Sequence, residues 1–294
     1  MRCLILGGTG MLGHQLLQSW SERHEVRATL RGPLADYRRY GLFTADNTID
    51  GVDVSDKQRV LSVLREYRPD AVINAVGIIK QSPAKRDAAL CMEINAGFPH
   101  QLRTYCEVLG IRMVQISTDC VFNGLSGGYT ERDTPNAMDL YGKSKAIGEV
   151  TAAPCITLRT SIIGLELETR RSLVEWFLSQ RGTIRGFTRA IYTGLTTIEI
   201  ARVIERLLVD HPRMSGLWQV ASEPISKFEL LNTLARCLGR DDIRIEPELK
   251  FSCDRSLNGD AFKNETQYEP PSWQQMLTEL ASQIKTEGRR HVAA

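Results

Sequence analysis

The stretch Arg2-Cys3-Leu4-Ile5-Leu6-Gly7-Gly8-Thr9-Gly10-Met11-Leu12-Gly13 decides the fold. Arg2 to Leu6 is a short run of β-forming residues. Glycines follow at 7, 10 and 13, with Gly8 as an extra, and apolar residues at helical spacing continue through Leu16, Leu17 and Trp20. Strand, glycine turn and helix, in that order, form the context a dinucleotide site needs. The turn lets backbone N–H groups approach a pyrophosphate, and the helix N-terminus adds its positive end. Gly7, Thr9, Gly10, Met11, Leu12 and Gly13 are therefore the expected cofactor cradle.

The same rhythm continues outward. Glu25 to Leu30 reads as a second strand, followed by Arg31 where an NAD-type site would place an acid. A cation there suits a 2′-phosphate, so NADPH is expected ahead of NADH, which such a site also admits. Gly51 to Asp53 reads as a third strand, with Asp53 and Val54 near the adenine and Asp56 as the N-cap of a helix through Val60, Leu61 and Leu64. Ala71 to Gly77 is a fourth strand, and its end at Ala75, Val76 and Gly77 is expected against the cofactor. Ile78 to Gln81 would lie at the site mouth. Cys91 to Cys106 reads as a helix with Asn95 inside it, where asparagine is unfavourable by propensity. Asn95 is expected to bond a neighbouring strand or loop beside the cofactor. Ile111 to Ile116 and Cys155 to Arg159 complete the series. Alternating strands and helices with right-handed crossovers give a parallel sheet with helices on both faces. Ligands bind outside the carboxyl ends of such strands.

One of those ends carries Ser117-Thr118-Asp119. After a glycine-rich loop from Asn123 to Tyr129, readable as a mobile substrate flap, comes Tyr141-Gly142-Lys143-Ser144-Lys145. Tyr141 and Lys145 are four apart and share one face of a helix. A phenol is a poor acid near neutrality, with a reference pKa of about 10. A lysine cation beside it would lower that value. A Thr118 hydroxyl could hold a substrate oxygen against the same phenol. This is the polar half of a carbonyl reduction. The hydride must come from a cofactor, because no side chain supplies one.

Beyond residue 160 the rhythm changes. Helices are expected at 173–178, 196–209, 227–238 and 273–284, and strands at 183–192 and 217–220, with a frayed polar tail. The expected fold class is α/β: a Rossmann-type doubly wound parallel sheet with a smaller C-terminal α/β lobe for substrate. Residues 1–159, with a returning segment at about 190–214, would form the dinucleotide domain. Residues 160–189 and 215–294 would form the lobe.

A net charge of +2 gives no argument for nucleic acid or an anionic membrane. No apolar run approaches the roughly 20 residues of a membrane span. The first apolar run is too short for a signal peptide, so a cytoplasmic location is expected. The seven cysteines form no CxxC pair and are expected as reduced, mostly buried thiols, with no metal site.

The glycine spacing combined with Tyr141-x-x-x-Lys145 resembles the extended short-chain dehydrogenase/reductases. Within them the chain is similar to the dTDP-4-dehydrorhamnose reductase family of sugar-nucleotide 4-ketoreductases. The similarity is carried by 116–124, 129–133, 140–149 and 158–161. It implies a catalytic Thr118, Tyr141 and Lys145. Tyr141 would protonate the C4 alkoxide, and Lys145 would also hold the nicotinamide ribose. Asp119, Cys120, Arg159, Thr160 and Tyr192 would face a nucleotide-sugar substrate. One or two of the arginines 159, 170, 171, 181, 185 and 189 would bind its diphosphate. A role in surface polysaccharide synthesis follows from the same likeness, and a homodimer is compatible with it. Cys120 stands where the family usually has an aromatic, and 186–195 departs from its usual substrate loop. A UDP-linked 2-acetamido-2,6-dideoxy-4-hexulose therefore competes as substrate. An NAD-dependent sugar-nucleotide 4-epimerase would use the same Tyr/Lys pair, and a non-catalytic NADP-binding regulatory subunit is the reading from another class.

Overall fold

The computed structural model describes residues 1–80 and 87–292. The expected site-mouth residue Gln81 lies outside them. The first half of the chain is β1 (Arg2–Leu6), α1 (Met11–Trp20), β2 (Glu25–Thr29), β3 (Thr48–Ile49), α2 (Lys57–Tyr67), β4 (Ala71–Asn74), α3 (Ala88–Met92), α4 (Phe98–Leu109), β5 (Arg112–Ile116), α5 (Leu140–Ile147) and β6 (Cys155–Arg159). The second half is β7 (Ile162–Ile163), α6 (Leu173–Ser179), β8 (Gly182–Tyr192), β9 (Leu195–Thr196), α7 (Thr197–Asp210), β10 (Gly216–Gln219), β11 (Ile225–Ser226), α8 (Lys227–Leu238), β12 (Ile243–Asp254), α9 (Asp260–Thr266) and α10 (Trp273–Val292).

Seven strands form the main sheet in the order β10-β6-β5-β4-β1-β2-β3. Every pairing in it is parallel. The expected Rossmann-type architecture is therefore present. Successive side chains of a strand point to opposite faces, and β1 shows this directly. Cys3 and Ile5 join a core layer with Leu16, Leu17, Trp20, Ile200 and Ile204, whereas Leu4 and Leu6 join a layer with Val60, Leu64 and Leu102. The strand order reverses beside β1, because β2 and β3 lie on one side and β4 on the other. Ligands bind at such a switch point.

A second, three-stranded sheet has the order β11-β8-β12, and β7 and β9 form a two-stranded pair. Three expectations need correction here. The segment expected in the smaller lobe at 217–220 is β10, and it extends the main sheet by pairing with β6. The third strand is Thr48–Ile49, which precedes Gly51–Asp53. The last helix continues to Val292, well past Ile284.

The loop at 123–129 is not a free flap. Tyr129 stacks on Phe122 at a centroid distance of 4.1 Å. Tyr129 N donates to Ser256 O at 2.9 Å, Asn258 N donates to Tyr129 O at 2.7 Å, and Asp254 N donates to Gly124 O at 2.8 Å. The loop is stitched to the segment after β12.

Candidate active site

The glycine turn after β1 is built for close backbone approach. Gly7 has φ +87°, and a Cβ on Gly13 would stand 2.0 Å from Gly7 O. Gly7 N donates to Thr29 Oγ1 at 3.1 Å, and Gly10 N to Gly7 O at 3.1 Å. Gly10 precedes α1 with no side-chain cap, and no acid occupies the first turn. Thr9 and Met11 are half-buried, and Leu12 and Gly13 are buried beneath them. An uncapped helix start over a glycine cradle fits a pyrophosphate. Ala75 and Val76 form the adjacent wall, with the Ala75 carbonyl carbon 3.3 Å from where a Gly7 Cβ would be.

Arg31 is exposed just past β2, and its charge reaches Asp53. Asp53 is not a free strand-end acid. Its Oδ1 accepts from Ser55 Oγ at 2.7 Å and from Ser55 N at 2.9 Å, and these bonds hold the carboxyl below its ordinary range. Val54 is buried beside it.

Asn95 sits in a π-helical stretch, Glu93–Gly97, between α3 and α4. Its Oδ1 accepts from Ile78 N at 2.8 Å, and its Nδ2 donates to Ile78 O at 2.9 Å and Ser144 Oγ at 3.1 Å. The side chain ties the loop after β4 to α5. Gly77 lies beside it, exposed.

Thr118, Tyr141 and Lys145 come together past the end of β5. Asp139 caps α5 by accepting from Gly142 N at 2.9 Å. Gly142 lets the helix press on the turn after β5, because a Cβ there would be 2.2 Å from Cys120 O. Thr118 Oγ1 accepts from Cys120 N and donates to Asp119 Oδ1, each at 3.1 Å. Lys145 is buried and donates from Nζ to Ile116 O at 2.6 Å. Burial lowers its pKa to about 8, against the pull of Glu149. The Tyr141 phenol behaves otherwise than expected. Burial and the neighbouring Cys120 push its proton affinity above the ordinary value, and only Thr118 opposes them appreciably. Desolvation exceeds any lowering by Lys145, which is engaged with the strand carbonyl.

The expected substrate residues divide. Asp119 is buried, and Cys120 is half-buried with its thiol pushed up to about 12 by burial. Thr160 is buried at the end of β6. Tyr192 is buried, its ring 5.5 Å from that of Trp273 and its hydroxyl close to Ser161. Arg159 is buried, and its Nε and Nη2 each donate to a Glu149 carboxylate oxygen at 2.7 Å, while its Nη1 has no hydrogen-bond partner among the described residues. Arg181 and Arg185 pair with Asp242 and Glu248. They lie at the far end of β8 from Tyr192, and a strand rises about 3.3 Å per residue. Arg189 is exposed three residues before Tyr192, and Arg170 and Arg171 are exposed before α6.

Sequence reasoning missed Arg255. It follows β12, donates from Nε to Phe122 O at 2.8 Å, and brings Nη1 to 3.9 Å from Cys120 Sγ.

The family model described as RmlD substrate binding domain matches residues 1–286. The chain belongs to that family. This RmlD-family chain is 26% identical over 268 residues to the probable low-salt glycan biosynthesis reductase Agl14 of Haloferax volcanii, covering 87% of this chain and 86% of that one. It is 26% identical over 233 residues to a dTDP-4-dehydrorhamnose reductase of Aggregatibacter actinomycetemcomitans, covering 76% and 74%. Its fold matches the crystal structure of the dTDP-4-dehydrorhamnose reductase of Bacillus anthracis in complex with NADP. The TM-score is 0.77 at 21% identity, covering 95% of this chain and 98% of that one. Among the described residues, no helix is long and apolar enough to cross a membrane.

Proposed function

We propose that the chain is an NADPH-dependent oxidoreductase that reduces the 4-keto group of a nucleotide-linked 6-deoxyhexose. The dTDP-4-dehydrorhamnose type of substrate is favoured, and the product would feed surface polysaccharide. The observation that carries this reading is the convergence of Thr118, Tyr141 and Lys145 past the carboxyl end of β5, in the same parallel sheet whose β1 runs into the glycine cradle. Family membership and the reductases among its relatives support it.

The bound nicotinamide would supply the hydride. Gly7, Thr9, Gly10, Met11, Leu12 and Gly13 would hold its pyrophosphate, Arg31 the 2′-phosphate, and Ala75 and Val76 the adjoining face. Thr118 would hold the keto oxygen, and Tyr141 would protonate the alkoxide at C4. Burial keeps the phenol protonated near neutrality, which is the state an acid needs. Lys145, with its pKa at about 8, carries its proton at pH 7 and would steady the phenolate left behind. Asp119, Cys120, Arg159, Thr160 and Tyr192 would shape the sugar pocket, and Arg255 joins Arg159 as an arginine proposed to face the substrate. The division into a cofactor domain and a substrate lobe, a cytosolic setting and a homodimeric assembly belong to the same proposal.

The test is NADPH oxidation at 340 nm with dTDP- and UDP-linked 4-keto-6-deoxy sugars, with and without a 2-acetamido group. Tyr141→Phe should nearly abolish turnover and leave NADPH binding within about threefold, roughly 0.7 kcal/mol. Turnover like that of the parent would remove Tyr141 as the acid. Silence on every sugar, with NADPH bound, would overturn the reductase reading.

A further inference from the structure

The loop after β4 brings to the phenol a cation that the Thr/Tyr/Lys trio does not include. Lys80 Nζ stands 5.7 Å from the centroid of the Tyr141 ring. It also donates to Asp139 Oδ2 at 2.7 Å. The other oxygen of Asp139 accepts from Gly142 N and so starts the helix that carries Tyr141. Asn95 fixes the loop only two residues before Lys80, through both backbone groups of Ile78. The lysine is thus held over the ring from two directions, by its own loop and by the cap of α5.

We propose that the Lys80–Asp139 ion pair sets how tightly the Tyr141 phenol holds its proton, with Lys80 and Asp139 acting as positioning residues of opposite sign. Its consequence for turnover rests on Tyr141 being the acid, but its effect on the phenol does not.

A cation within about 4–6 Å favours the phenolate, and a carboxylate at similar range opposes it. Asp139 is among the charges that raise the phenol's proton affinity. Burial pushes the Asp139 carboxyl up, yet the bonds from Lys80 and Gly142 overcome this and keep it ionised. In the proposal the two charges oppose one another at the ring, with Lys80 over its face and Asp139 at the start of its helix. Removing either one uncovers the other. The remaining groups that act on the phenol are Thr118, Asp119 and Cys120 from the turn after β5; Arg255 from beyond β12 acts on Cys120, Asp119 and Asp139, and Lys145 lies one turn along α5 with its Nζ on the Ile116 carbonyl. None of these is altered in the variants below. The pair is partly exposed, at 31% for Lys80 and 45% for Asp139, so solvent screens it. A shift of roughly threefold to tenfold in the ionisation constant is expected for each single variant.

The experiment places 2,3,5-trifluorotyrosine, a more acidic phenol, at position 141 of the full chain and follows its fluorine resonance through a pH titration. Lys80→Met should raise the midpoint. Asp139→Asn keeps a good N-cap and should lower it. The double variant should return to within about twofold of the parent constant. Higher salt should shrink both single shifts. Two shifts in the same direction, or none, would overturn the proposal, since a purely structural ion pair would give one of those results. The alkaline limb of NADPH oxidation should move with the fluorine midpoint. A moving midpoint with a stationary limb would support the pair's effect on the phenol and remove Tyr141 from the role of acid.

Discussion

Arg159 and Glu149 meet in a buried fork, with Nε and Nη2 each donating at 2.7 Å and side-chain exposures of 3% and 6%. Ser117 Oγ adds a third bond to the same carboxylate at 2.7 Å, and the guanidinium lies 5.1 Å over the Phe122 ring. Removing one partner of a buried pair leaves the other charge uncompensated, at a cost of about 3–5 kcal/mol. Urea unfolding should show losses of that size for Glu149→Ala and for Arg159→Met. The double variant Glu149→Leu with Arg159→Met should recover much of the loss. A double variant as unstable as the sum of the two would show that the pair is not acting as a unit.

Lys145 has a lowered pKa in the folded chain, about 8 against an ordinary value of 10.5. Between those values the unfolded chain binds the extra proton, so stability rises with pH there. Below about pH 8 the full penalty of the buried cation is present, and it is relieved as pH climbs toward 10.5. The span corresponds to about 3 kcal/mol. Lys145→Met should lack this rise, so the stability difference between parent and variant should shift in the parent's favour as pH climbs from 7 to 10. A difference flat with pH would mean that Lys145 titrates normally.

Gly13 faces the carbonyl oxygen of Gly7, which is backbone and cannot swing aside. Gly13→Ala should push α1 off the glycine turn. Overpacking of this kind costs about 1–3 kcal/mol. NADPH affinity should fall at least about tenfold, or 1.4 kcal/mol, as read by quenching of protein fluorescence. Unchanged affinity would argue against the cradle.

Arg31 is the cation at the end of β2, and an arginine fork matches phosphate oxygens. Arg31→Ala should weaken NADPH by about tenfold and leave NADH within about twofold, with the ratio of kcat/KM values as the measure. Equal losses for both cofactors would place the 2′-phosphate elsewhere, with Arg38 and Arg39 of the short 3-10 helix Leu34–Tyr40 the next candidates.

The sheet was readable because its strands are buried on both faces, which leaves short apolar runs bounded by glycine and polar turns. Thr118, Tyr141 and Lys145 were readable because each pairs a chemical type with a strand end or a helical spacing. Strand β12 left no such trace. Most of Ile243–Asp254 is exposed, and the alternation that starts at Ile243 and Ile245 breaks at Pro247. It is an edge strand held by its backbone ladder to β8, a place where proline is tolerated. Arg255 was hidden with it. The Arg159 ion pair was hidden because its partner Glu149 lies in the connection between α5 and β6, ten residues away, and only folding joins them. The phenol's environment was misread for a similar reason. A spacing of four residues puts Tyr141 and Lys145 on one face but says nothing of how dry that face is, or of the Ile116 carbonyl that accepts the lysine's hydrogen bond.

The pairing of β10 with β6 has a consequence for the chain as it is made. All five residues of β6 are buried in the finished protein, yet the strand that covers its outer edge is Gly216–Gln219, delivered by the ribosome only after β8 and α7 have emerged. Until then the nascent sheet ends in a bare row of amides and carbonyls, a template for any other extended chain. A polypeptide interrupted within α7 would therefore be a sticky fragment in place of a working nucleotide-binding half, and chaperone cover should matter most during synthesis of that interval.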